Sequence, residues 1–345
     1  MKRSFILVVM AFLLVGSLAF GEEAVVIDFT KLDADVEADL ANGVPATNSR
    51  TIMDYSEIAG ASFTGKQKSL MRTSLALNDW EVVLNTSARN VSSVSQSVVR
   101  PAPVKADAEV PFAGMNVMGV RVVFPTASVN SNAKIVPAFE IPAYATFDED
   151  NDTRTDEQKA SGLTRFEDGY GVVKNVGTIK ALSVTTMGMN HPHALYVILE
   201  DTDGVERRYF MGYLGFDGWK ELKWNNPAYV SEIRTREVRI SPIYPRGLPF
   251  LKFKGLQIVR DAADEGGDFI GYFKDVKVIY DKAVLQTERD IADDDLWSIV
   301  ADREHAKQVY EMSRFGNKQV ERFLESQKLA PEAEFTSSLS TETAE

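Results

Sequence analysis

Short apolar runs that alternate with polar residues recur along most of this 345-residue chain, and a period of two predicts strands with one buried and one wet face. The first, Ala24-Val25-Val26-Ile27-Asp28-Phe29-Thr30, is rich in β-branched residues. Residues 31–79 are weakly patterned, and Trp80-Glu81-Val82-Val83-Leu84 predicts a second strand. Residues 85–111 turn to Ser, Val, Asn, Ala and Pro, which predicts a long surface excursion or a loop carrying one short edge strand. Strand signals then crowd together. Met118, Val120, Val122 and Phe124 share a face of a run ended by Pro125. The run from Ile135 to Ile141 is interrupted at Pro137, which suits an edge strand. Ile179 to Met187 follows. Leu195, Val197 and Leu199 lead into Asp201-Thr202-Asp203-Gly204, and Arg207 to Leu214 returns. This predicts a hairpin, because glycine accepts the positive φ of a tight turn. Leu251, Phe253, Leu256, Ile258 and Val259 form a broken run. In the last run Ile270, Tyr272, Val276, Val278 and Tyr280 are placed together opposite Asp275, Lys277 and Asp281.

Roughly ten strand candidates without interleaved helices predict a mainly β fold, an antiparallel β-sandwich of jelly-roll or carbohydrate-binding-module type. It should fill residues 22–285. The pattern then changes period. Leu296, Ile299 and Val300, then Ala306, Val309 and Tyr310, then Val320, Phe323 and Leu324 recur at helical spacing. Asp293-Asp294-Asp295 supplies acids for the helix start. Residues 286–329 therefore read as a C-terminal helical segment, with Gly316 expected to divide it into two helices. Such a segment serves either as a lid on the sandwich or as an arm for a neighbour. Residues 330–345 offer little to bury and read as a disordered tail.

One apolar run has a different character. Lys2 and Arg3 precede an unbroken stretch from Phe5 to Val15, and Ser17-Leu18-Ala19-Phe20-Gly21 places small residues before Glu22. This is the layout of a secretory signal peptide over residues 1–21, cut before Glu22. The run falls short of the roughly 20 apolar residues that span a bilayer, so stable membrane insertion is not expected. The chain has no cysteine. An exported protein without disulfides must hold its fold by its core alone. A formal charge of −12 argues against nucleic acid, which needs a basic footprint, and its plainest role is solubility.

Candidate chemistry is sparse. Among three histidines, His191-Pro192-His193 can aim two imidazoles at one ion, but His305 is far away in sequence and two ordinary turn residues are the simpler reading. No Gly-x-Ser-x-Gly elbow is present. Asp148-Glu149-Asp150-Asn151-Asp152 resembles the opening of a calcium loop, yet Thr153 and Lys159 stand where such a loop needs Gly and Glu. Asp261 to Asp268 raises the same question, with a solvated acidic loop as the plainer alternative. No catalytic, cofactor or metal residue is assigned. The tryptophans offer more. Trp219 and Trp224 lie in a glycine-flanked aromatic stretch, and Trp297 opens the helical segment. Exposed, such rings anchor interfaces or stack on sugars. Trp219 and Trp224 are five apart and should face opposite ways on a regular strand, so at least one is expected in the core.

Several segments together resemble the spirochaete flagellar filament outer layer, or sheath, protein family. They are Val25 to Phe29, GFDGWKELKWNNPAYV from Gly215 to Val230, Ser241-Pro242-Ile243-Tyr244-Pro245-Arg246, Leu251 to Leu256 with Arg260-Asp261, and DFIGYFKDVKVIYDKA from Asp268 to Ala283. Their order and context carry the resemblance. It implies a non-catalytic structural subunit that coats the periplasmic flagellar filament and affects its stiffness, its shape and so motility. The implied partners are core flagellin subunits and neighbouring sheath subunits, and no cofactor is implied. The leader and the opening strand set the chain apart from core flagellins, which have long terminal helices and no cleaved leader. On this reading Trp219, Trp224 and Trp297 are the candidate partner contacts. The alternative from the residues alone is an exported carbohydrate-binding module or adhesin using the aromatic loop.

Overall fold

The computed structural model describes residues 22–33, 51–126, 130–144, 166–229, 240–242, 249–286 and 297–342; for 240–242, 284–286, 300, 301, 304 and 329–342 it describes the backbone only. The predicted leader, the acidic stretch 148–152, the segment 243–246 and the cap Asp293–Asp295 lie outside the described residues.

Along the chain the strands are β1 (Glu22–Asp28), β2 (Met53–Asp54), β3 (Arg72–Thr73), β4 (Glu81–Leu84), β5 (Val98–Pro103), β6 (Asn116–Phe124), β7 (Asn132–Val136) and β8 (Val172–Lys174). There follow β9 (Val176–Met189), β10 (Ala194–Asp201), β11 (Glu206–Tyr213), β12 (Asp217–Asn225), β13 (Ile240–Pro242), β14 (Phe250–Val259), β15 (Gly267–Lys282) and β16 (Val284–Gln286). Helices α1 (Gly65–Ser69) and α2 (Val91–Gln96) are short, and α3 runs from Ile299 to Glu342.

Two six-stranded sheets face each other. The first runs β12-β9-β15-β6-β5 with β1 also on β15; the second runs β11-β10-β14-β7-β4 with β8 also on β14. All pairs in both are antiparallel. The chain is therefore the antiparallel β-sandwich with a C-terminal helix that its pattern predicts. The Asp-Gly hairpin forms between β10 and β11: the Asp201 carboxylate accepts the N–H groups of Asp203 and Val205, and Gly204 takes a φ of +75°. The excursion 85–111 holds the edge strand β5, whose Pro101 and Pro103 cost the sheet nothing on that side, and also the helix α2, which the sequence did not signal.

Four expectations change. β7 ends at Val136, before Pro137, and so sits inside its sheet between β14 and β4 instead of at an edge. The single-face reading of the last run fails at a β-bulge. Register shifts between Phe273 and Asp275, so Lys274 is the extra residue. Before it Phe269 and Phe273 point inward; after it Val276, Val278 and Tyr280 do, and Ile270 and Tyr272 turn to the outer face. The broken run in β14 has the same cause. Lys254 is extra between Phe253 and Gly255, and parity switches from Leu251 and Phe253 to Leu256 and Ile258.

Gly316 supplies the third change. α3 passes through it without interruption, and a Cβ there would lie 2.6 Å from Ile58 and 2.9 Å from Tyr55. Glycine is needed for close approach, not for a break. The backbone also stays helical beyond Pro331 to Glu342, across most of the segment read as a tail.

Candidate interaction surfaces

The tryptophans divide by how the sandwich uses them. Trp224 lies on the inner side of β12 and meets Tyr209 of β11 edge to face, with ring centres 4.8 Å apart. The two rings close the gap where the edge strands of the two sheets come together. Trp219 points to the other side, as the odd-numbered spacing requires. It is half-buried beneath Phe112 of the β5–β6 connection, 4.7 Å away. Neither ring is fully buried, although Trp224 packs against the core cluster. Trp297, just before α3, is 61% exposed. The fourth, Trp80, is core: its indole N–H donates to the Leu75 carbonyl at 2.9 Å, and it packs against Phe29 and Phe253.

A charged seam among the described residues is a feature the hydrophobic pattern did not signal. From Lys307 to Phe323, α3 is held against the outer side of the second sheet and the segment 138–144. Its contact face carries Glu311, Phe315, Lys318 and Arg322, spaced three or four apart. Only Phe315 among these is apolar, and it is buried. Opposite it on β14, Lys252 is buried with its ammonium 2.8 Å from Glu200 and 5.5 Å from the centre of the Phe315 ring. Lys254 binds Glu140 and Glu200, and Lys318 reaches Glu140 at 2.7 Å. Arg322 pairs with Glu81 and donates to the Ala138 carbonyl. Glu311 accepts from the N–H of Tyr144 at 3.2 Å. A cleft of about 240 Å³ remains beneath the helix, with Phe139, Phe253 and Phe315 in its walls and Glu140, Lys254 and Lys318 at its rim.

Electrostatics follow from this packing. Burial alone would raise the Glu140 pKa, but hydrogen bonds from Lys254 and Lys318 overcome it and hold the carboxyl down at about 2. Glu200 is lowered in the same way by Lys252 and Lys254. For Lys254, burial works against the charge, and its bonds to Glu140 and Glu200 raise its pKa. Glu311 is raised because burial outweighs its cationic neighbours. A signal for this seam existed. Lysines at 252 and 254 inside an otherwise apolar strand demand acidic partners, and Glu200, at the end of β10, stands beside Lys252 in register.

His191, His193 and the acidic loop 261–268 make contacts within the chain. His191 and His193 stack with ring centres 5.7 Å apart, and His193 is buried against Phe124 and Phe269 at one end of the core. Burial lowers both pKa values, that of His193 to about 4. In the loop after β14, Asp261 accepts from the Ala263 N–H and Asp264 from the Gly266 N–H, while Asp268 pairs with Arg121. Among the described residues no three His, Asp or Glu side chains converge as a metal site would require, and no helix is long and apolar enough to cross a membrane.

Relatives decide the assignment. The family model for flagellar filament outer layer protein Flaa matches residues 45–289. A flagellar filament outer layer protein from Treponema pallidum is 54% identical over 98% of this chain and 97% of its own length. The chain belongs to the flagellar filament outer layer protein family. Relatives of the same description from Spirochaeta aurantia and Borreliella burgdorferi are 44% identical over 97% of the chain and 33% identical over 79%, covering 95% and 73% of their own lengths. Among solved structures, a carbohydrate-binding module of the β-sandwich superfamily aligns over 59% of this chain and 57% of its own at 12% identity, with a TM-score of 0.29. That likeness is too low to carry an argument about binding. Of the segments that suggested the outer layer family, Gly215–Val230 supplies β12, Leu251–Leu256 the first part of β14, and Asp268–Ala283 most of β15.

Proposed function

We propose that this chain is a structural subunit of the outer layer of a periplasmic flagellar filament, supporting filament stiffness and shape and so motility. One observation carries the reading: identity of 54% to an outer layer protein, sustained over 98% of the chain and 97% of the relative. Sequence kept along both whole chains favours shared assembly over a borrowed module. Its role is non-catalytic, and no residue is assigned to catalysis or to a cofactor. The chain reaches the periplasm through the leader at residues 1–21 and sits on core flagellin subunits beside further copies of itself.

For the contacts, the exposure of Trp297 supports it as a partner residue. The in-chain packing of Trp219 and Trp224 favours structural roles for those two. Periplasmic flagella isolated from cells with and without the gene test the function. Co-purification of the protein, with a thinner filament in its absence, is the expected result. Filaments that lack the protein and keep their diameter would overturn the assignment.

A further inference from the structure

The helix covers only part of the second sheet. Elsewhere on the same outer face Phe210, Tyr196, Gln257, Lys134 and Val83 stand in register as one row across five neighbouring strands, β11 to β4. Phe210 and Val83, at the two ends of the row, are 40% and 47% exposed, and Tyr213 beside Phe210 is 59% exposed. Of the polar members, Gln257 is buried and satisfied, accepting from Arg208, which also lies over the Tyr196 ring, and donating to Asn132, while Lys134 is exposed between Gln257 and Val83. What is left outward is an aromatic ridge, with Tyr196–Phe210 and Phe210–Tyr213 centres both 5.3 Å apart. The rings tilt by 49° and 74°.

A second surface with no partner among the described residues lies on α3. Its docked residues occupy one side, and Ala306, Val309 and Tyr310 fall on the side away from Glu311 and Phe315, at the apolar spacing the sequence predicted. Val309 is 54% and Tyr310 66% exposed, and Trp297, just before the helix, is 61% exposed.

We propose that these surfaces are the two halves of one contact between copies of this chain, the stripe of one copy lying on the open row of the next. Three observations select a second copy as the occupant. The row continues, on the same sheet face, the area already covered by a helix, so the fold itself shows how such a face is closed. The lengths agree: five strands span about 19 Å at the usual strand spacing, and the helix from Ile299 to Tyr310 spans about 17 Å. Finally, the surfaces differ and both lie on one chain. Such a contact is head-to-tail and continues indefinitely unless it closes on itself, as a layer laid along a filament requires. The inference rests on the outer layer reading and adds to it the surfaces used.

The test uses purified protein and two variants, Tyr310→Glu and Phe210→Glu, in sedimentation velocity over a concentration series. Wild-type protein is expected to associate with increasing concentration. Each variant alone should stay monomeric at ten times the concentration at which the wild type associates. Mixed in equal amounts, they should form dimers and nothing larger, because each retains one intact half. Both positions are exposed, so unchanged thermal unfolding checks the fold, and the conservative Tyr310→Phe and Phe210→Tyr should associate normally. A monomeric wild type, a variant that associates like the wild type, or a mixture that stays monomeric overturns the proposal. Benzophenone at position 310 on isolated filaments gives a second reading. It should cross-link to residues 206–213 of another copy, and cross-links elsewhere overturn the proposal. Absence of the protein from filaments would instead count against the outer layer reading, which separates the two failures.

Discussion

The inside of the sandwich and the seam beneath α3 are both buried, yet they are built from different materials. Between the sheets, Phe29, Trp80 and Phe253 meet edge to face or tilted at 5.5–6.2 Å, with aliphatic side chains filling the remaining space. Under the helix, Lys252, Lys254, Glu140, Glu200 and Glu311 lie among Phe139, Phe253 and Phe315, so charged groups and rings share the buried space. Apolar burial is non-directional and gains free energy wherever area leaves water. A charged seam gains little net energy, because desolvation cancels much of the attraction, but it is costly to leave half-made. The interior therefore sets global stability. The seam sets where the helix lies and how readily it opens.

Deleting core volume should have the largest effect. Phe253→Ala removes a fully buried ring that touches both Phe29 and Trp80, and is expected to cost about 3–5 kcal/mol. Denaturant unfolding should show a lower midpoint at unchanged slope. A loss confined to hydrogen exchange in α3 would mean that the two regions are less separate than their packing implies.

Acid should separate them further. His193, plugging one end of the interior, has a folded pKa of about 4 against 6.5 unfolded. The unfolded chain thus binds its proton first. The stability it represents is complete above pH 6.5 and is lost as pH falls toward 4, by about 3 kcal/mol in total. Glu140 in the seam, at about 2 against 4.5, keeps its contribution down to pH 4.5 and loses it only below. Glu311, with a raised pKa, is relieved by acid and works the other way. Thermal melts between pH 6.5 and 4.5 should fall for the wild type and flatten for His193→Gln.

How much of this could be read from the chain follows the same division. The strands of the interior announce themselves through alternation, and both sheets are visible in outline. Alternation misleads where a strand changes parity, at Lys254 and Lys274, because a bulge leaves no periodic trace of its own. Each bulged lysine then finds a local acid cluster, Glu140 and Glu200 for one, Asp28 and Asp275 for the other. The helix is legible as a helix, and its docking face in part. Of its apolar series Val320 and Phe323 pack against the core, whereas Ala306, Val309 and Tyr310 stay outside, and the fold buries Glu311 and Phe315 beside Lys252 instead. Among the candidate contacts, nothing in the spacing of Trp219 could reveal that Phe112, from a distant connection, would cover it.

Breaking the seam should come next in size. Glu140→Ala removes a partner from both Lys254 and Lys318. The cost is expected near 2 kcal/mol, below the full value for a buried pair because Lys254 keeps Glu200. The loss should appear as faster amide exchange along Lys307–Phe323, with the strands protected as before.

The smallest effect sharpens the comparison most. Arg121 and Asp268 pair at 3.0 Å across β6 and β15 on the wet face of the first sheet, with side chains 43% and 50% exposed. The pair has a seam-like geometry without the seam's burial. Water screens it, so Arg121→Ala should cost no more than about 0.5 kcal/mol and lose even that in high salt. The seam variant, measured in the same buffers, should keep most of its effect as salt rises, since buried pairs are screened far less. If both variants cost the same and fade together with salt, charge alone would account for the seam, and the burial of Lys252 and Phe315 would have no part in positioning the helix. If they diverge, the low-dielectric setting beneath α3 is what turns ordinary ion pairs into a docking surface.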